Sequence, residues 1–97
     1  MKRSRYGGQD RVSTKAKLAD ELIVLGEVLV RTRERAGLKQ SDVVAKLALP
    51  ASYLSKIENG TRRLDVIELI RIAEAMHTDP AAIVSELKAK LKKSGER

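Results

Sequence analysis

The sequence predicts an all-α fold of five helices, and three observations predict it. There is no Phe or Trp and there are only 2 Tyr, so the core must come from Leu, Val, Ile, Ala and Met, a set that favours helices over a β-sandwich. Apolar residues recur at helical spacing, and no segment alternates with period two for long enough to form a strand. Capping residues, glycines and prolines fall between the periodic stretches, where helices stop and start. At 97 residues, 42% hydrophobic and 34% charged, the chain has material for one small core and too little length for a two-domain enzyme.

Residues 1–13 hold Gly7, Gly8 and scattered Arg without periodicity and read as a flexible basic arm. The domain follows over 14–91, with 92–97 as a basic tail. The first helix begins at Ser13 or Thr14; Leu18, Leu22, Leu25, Leu29, Thr32 and Ala36 share one face, and Gly37 supplies a left-handed residue after it. A second stretch, Gln40 to Leu47, groups Val43, Val44 and Leu47. Pro50 disfavours helix at Leu49 and suits a new start, so a third helix runs from about Ala51 to Glu58 with Leu54 and Ile57 inward, ended by Asn59-Gly60. The fourth opens with Asp65 as cap, Glu68 reaching back and Leu64 stapled to Leu69. It is expected to reach Met76 and to bury Val66 or Ile67 with Leu69, Ile70, Ala73 and Met76. Asp79-Pro80 starts the fifth, whose Ile83, Val84, Leu87 and Leu91 share a face.

Composition narrows the function. With 0 Cys there is no disulfide, thiolate chemistry or cysteine metal cluster, and one His with no phosphate-cradling glycine loop leaves no catalytic constellation, so neither enzyme activity nor a cofactor or metal is expected. The longest nearly apolar run, Leu22 to Val30, is broken by Gly26 and Glu27, far short of the roughly 20 residues of a membrane span. A soluble cytoplasmic protein is the expectation. The net charge of +7 is unevenly placed: residues 1–17 carry +5, 31–63 carry +5 and 88–97 carry +4, against −3 over 18–30 and −4 over 64–87. One end should face a polyanion.

Two short helices joined by a turn, about 40–58, lie inside the basic central segment between a long helix and a packing helix, which is a helix-turn-helix layout. A helix roughly 10–12 Å across fits the major groove of about 12 Å. The block Gly37-Leu38-Lys39-Gln40, the apolar positions Val43, Leu47, Leu49, Leu54 and Ile57, and the run Tyr53 to Arg63 closely resemble the Cro/C1-type (XRE) helix-turn-helix regulators. The resemblance covers roughly residues 22–87 and implies a five-helix lambda-repressor-like domain, double-stranded DNA as partner, a homodimer on a partly palindromic operator, and transcriptional regulation, most simply repression. It also implies that Gln40 contacts a phosphate and braces the recognition helix, that Ala51, Ser52 and Lys56 face bases, and that Lys39, Tyr53, Ser55, Asn59, Thr61, Arg62 and Arg63 touch the backbone.

The departures from the family pattern fall on caps and turns. Lys39 and Pro50 stand where hydroxyl caps are usual, Val44 replaces a small residue where the two helices cross, and Ala48 and His77 replace glycines. The first helix carries more apolar surface than one core face needs, so Ile23, Val24, Val28 and Val30, with Ile83, Val84, Leu87 and Leu91 of the fifth, are the expected dimer contacts. Arg3 and Arg5 of the arm are the expected minor-groove or phosphate contacts. The rival reading is an antitoxin-like module whose principal partner is another protein; the short charged tail after Leu91 argues against it.

Overall fold

The computed structural model describes residues 11–95, with side chains over 17–93. The expected arm contacts Arg3 and Arg5 lie outside the described residues. The order is α1 (Arg11–Arg35), α2 (Gln40–Leu47), α3 (Ala51–Glu58), α4 (Val66–Ala75) and α5 (Pro80–Gly95), with no strand among the described residues. Two boundaries differ from expectation. Helix α1 already includes Arg11 to Ser13, expected in the arm, and α5 continues through residues 92–95, expected in the tail. Both runs lack periodicity, yet each extends a helix already nucleated, and adding a residue to an existing helix is far easier than starting one. No helix among the described residues is long and apolar enough to cross a membrane.

The core gathers Val28 and Leu29 of α1, Val43 and Val44 of α2, Leu54 and Ile57 of α3, Ile72, Ala73 and Ala75 of α4, Met76 after it, and Ile83 of α5. Val28 is 0% exposed and Ile83 1%, so both are corrected from dimer contacts to core residues. The face of α1 that turns inward from Leu25 onward includes Val28 beside Leu29 and Thr32, because α3 and α5 pack on it from two sides. A further correction concerns α4: Val66 and Ile67 are 69% and 63% exposed, and Ile72 and Ala75 are buried instead. Asp65 at the N-cap fixes the phase, which puts Leu69, Ile72, Ala73 and Met76 on the inward stripe and leaves the first two residues outside.

The caps follow the sequence closely. Asp65 accepts the Glu68 N–H at 2.7 Å while Glu68 accepts the Asp65 N–H at 3.0 Å, and Leu64 and Leu69 both pack against the core. Lys39 has no acceptor to cap α2 with, but Asp42 takes its backbone N–H at 2.8 Å, half of a capping box. Pro50 caps α3 without a side-chain bond. His77, after the last turn of α4, has φ 57° and sits with Nε2 3.0 Å from Lys46 Nζ, which also donates to the Ala75 carbonyl at 3.1 Å.

Helices α1 and α5 run antiparallel. Thr32, Ala36, Ala82 and Ile83 line one hollow, Arg35 reaches Glu86 at 2.8 Å, and Leu18, Leu22, Leu25, Leu87 and Leu91 line a second groove further along. Descending α1 from Ala36 to Leu18 therefore matches ascending α5 from Ala82 to Leu91.

Candidate nucleic-acid interface

Helix α3 presents Ala51, Ser52 and Lys56 to solvent and turns Leu54 and Ile57, each 1% exposed, into the core. Its amphipathic spacing thus separates small and hydrogen-bonding side chains from the residues that anchor it. Tyr53 and Ser55 lie half-buried on its flanks. With 8 residues each, α2 and α3 are too short to hold helical form alone, so their geometry depends on what pins them.

The turn between them is pinned by backbone. Ala48 takes the left-handed conformation at φ 56° and ψ 42°, where a family glycine is usual, and the Leu49 N–H closes onto the Val44 carbonyl at 3.0 Å. Val44, at the helix crossing, is accommodated at 5% exposure.

The far end of α3 is pinned by charge. Glu58 receives Arg33 Nε at 2.7 Å and Nη2 at 3.0 Å, and Gln40 donates Nε2 to the same carboxylate at 2.7 Å. Arg33 also donates Nη1 to the Leu38 carbonyl at 2.9 Å. The two charged side chains are 13% and 5% exposed, so this bidentate pair sits in a poorly solvated site; removing one partner of such a pair typically costs about 3–5 kcal/mol. The Arg33 guanidinium is held above its ordinary range by Glu58. The family pattern marks Gln40 as a brace, but in the sequence Arg33 and Glu58 look like surface charges. Their one signal is position, since Arg33 follows the buried Thr32 and Glu58 follows the buried Ile57. Gly26 completes the contact: a Cβ there would collide with the Glu58 carbonyl oxygen, so α1 meets the end of α3 backbone to backbone.

The turn after α3 is built from its own side chains. Asn59 Oδ1 accepts the Thr61 hydroxyl at 2.7 Å and its N–H at 3.2 Å, while Gly60 takes φ 82° with Ile23 against it. Arg62 lies over the Tyr53 ring at 4.6 Å, reaches Glu68 at 3.2 Å and donates to the Arg63 carbonyl at 2.9 Å. Burial, reinforced by Glu68, pushes the Tyr53 phenol up to about 12. Arg62 is thereby tied down, whereas Arg63, Lys39 and Lys56 are exposed. The structure brings together the expected base-facing residues, Gln40, Tyr53, Ser55, Asn59, Thr61, Arg62 and Arg63 around α3 and its two turns. Val24, Val30, Val84, Leu87 and Leu91 lie elsewhere, on α1 and α5, exposed or half-buried, whereas Ile23, exposed on α1, also packs against Gly60 of the turn after α3.

Known proteins share this geometry. A family model described as a helix-turn-helix domain matches residues 24–84. An uncharacterized HTH-type transcriptional regulator of Sinorhizobium fredii is 32% identical over 62 residues, 64% of this chain and 80% of the relative. Among solved structures, an XRE-family-like protein from Pseudomonas syringae pv. tomato superposes with TM-score 0.65 at 34% identity, covering 87% of this chain and 98% of that one. The restriction-modification controller protein C.AhdI from Aeromonas hydrophila superposes with TM-score 0.62 at 25% identity, covering 66% and 97%. The chain belongs to the XRE-type helix-turn-helix family of DNA-binding transcriptional regulators, a non-enzymatic family.

Proposed function

We propose that the protein represses transcription from the cytoplasm by binding an inverted-repeat operator as a homodimer, with α3 in the major groove. The observation that carries this reading is the exposed face of α3, where Ala51, Ser52 and Lys56 stand clear while both ends of the helix are pinned. Lys56 donates to guanine O6 or N7, Ser52 to a neighbouring base, and Ala51 meets a thymine methyl. Gln40, Lys39, Arg63 and the Asn59–Thr61 turn contact phosphates and set register, and Arg62 positions Tyr53 beside them. Two-fold pairing through the apolar remainder of α1 and α5 would set the recognition helices about one DNA turn, roughly 34 Å, apart.

Selection from random duplex DNA at about 0.15 M salt, repeated with Lys56→Ala and Arg63→Ala, tests the reading. An inverted repeat should emerge, with Lys56→Ala relaxing one base position by about 1–3 kcal/mol and Arg63→Ala weakening all sequences alike. Placed over a promoter, that repeat should lower its output when the protein is expressed. Salt-sensitive binding without a motif would overturn it.

A further inference from the structure

We propose that the tip where the N-terminal end of α1 meets the C-terminal end of α5 is a second duplex-DNA contact, gripping phosphates outside the stretch covered by α3. The proposal rests on the DNA-binding reading above and extends it to four exposed lysines that reading does not use, Lys17, Lys88, Lys92 and Lys93. Two basic runs far apart in sequence, 11–17 and 88–93, are brought to one end of the molecule by the antiparallel packing of the two helices. Leu18 and Leu91 line the same groove, and Lys17 and Lys92 are their immediate neighbours in the chain. Lys17, Lys88, Lys92 and Lys93 are exposed, and none is in an ion pair among the described residues.

Helix electrostatics accounts for only part of this charge. Lys92 and Lys93 suit the last turn of α5, but Lys88 precedes Gly95 by about two turns, where the dipole has faded. Nor does the dipole call for the basic residues near the start of α1, whose first turn contains no acidic residue, although Asp10 immediately precedes it in the sequence. Like charges drawn from two elements onto one tip repel, and a polyanion relieves that repulsion. The tip is also well placed. Arg63 and Leu64 line the groove with Leu18, Glu21 and Leu91, so the tip adjoins the turn assigned to phosphate contact, with one carboxylate, Glu21, in the same groove. Lys17 is six residues from Ile23, which packs on Gly60; at about 1.5 Å per residue that is about 9 Å along α1.

The test compares the full chain with its Lys17→Gln, Lys88→Gln, Lys92→Gln, Lys93→Gln variant on two duplexes. One ends at the selected operator and the other extends it by eight base pairs on each side. Wild type should bind the longer duplex on the order of tenfold more tightly near 50 mM salt, with a steeper salt dependence, and the variant should bind both alike with an unchanged melting temperature. Every phosphate that the variant no longer neutralises should take about 0.9 off the slope of log affinity against log salt. A length-dependent gain that survives the four substitutions, or no gain in wild type, would overturn the proposal. Loss of binding to anionic-lipid vesicles but not to duplex would overturn it in favour of a membrane surface. If selection yields no operator, the sequence-specific reading fails separately, and the same slopes measured on random duplexes still decide whether the tip touches DNA.

Discussion

Two residues hold backbone conformations that their side chains oppose. Ala48 at φ 56° and His77 at φ 57° occupy the left-handed region that Gly37 and Gly60 adopt at φ 72° and φ 82°. For a residue with a Cβ this costs about 1–2 kcal/mol, and restoring glycine gives back part of it as unfolded-chain entropy, about 0.4–1 kcal/mol. Ala48→Gly should therefore raise stability by roughly 0.5–1 kcal/mol, a rise of several degrees in Tm for a domain of this size. His77→Gly should gain less, because it also gives up the contact between Nε2 and Lys46. Gly37 offers the control, since a Cβ there would meet nothing within 4 Å and only the dihedral matters, so Gly37→Ala should lower Tm by a similar margin. Thermal melts of the three variants check this, and a destabilised Ala48→Gly would show that the dihedral stores no such strain. Both strained positions are legible in the sequence, because each falls where a periodic stretch ends against a family glycine. The Arg33–Glu58 pair is not, since its partners lie 25 residues apart and only packing aligns them.

At the scale of elements, α4 has a reciprocal capping box at its start, and that start is sensitive to acid. The Glu68 carboxyl lies below its ordinary value of 4.5, chiefly because it accepts the Asp65 backbone N–H, with Tyr53 and Arg62 adding to the effect. A depressed carboxylate contributes stability that is complete above its unfolded value and is lost as pH falls through the lower folded value. Glu68→Gln should therefore lower Tm at pH 7 and make the fall in Tm below about pH 4.5 shallower than in wild type. Parallel curves of Tm against pH for the two proteins would show that the box contributes no such dependence. Asp65→Ala, which removes the other half, should cost about 1 kcal/mol at neutral pH. The cap residues Asp65, Glu68 and Leu64 are readable because capping acts within four residues. The burial phase of α4 is harder to read, since Val66 and Ile67 fit the apolar pattern as well as Ile72 does, and only packing against α2 and α5 selects between them.

At the scale of the molecule, α1 has two jobs along its 25 residues. Its C-terminal half carries Gly26, Val28, Leu29, Thr32 and Arg33 into the core and the brace on α3. Its N-terminal half packs mainly on α5, and there the apolar surface is incompletely covered: Leu18 is 44% exposed, Ile23 47% and Val84 47%. This partition separates the residues whose substitution unfolds the domain from the exposed ones through which the proposed dimer would form. Val28→Lys places a charge at a site with 0% exposure and should abolish cooperative melting. Ile23→Glu with Val84→Glu charges two exposed sites and should leave melting cooperative while shifting the sedimenting mass of the proposed dimer to that of a monomer. Loss of the dimer should also weaken binding to a two-half-site operator far more than to a single half-site, because only the former gains from linkage. A wild type that sediments as a monomer, or a double variant that keeps the dimer mass, would place the two-fold contact elsewhere and leave the exposed leucine, isoleucine and valine as ordinary surface.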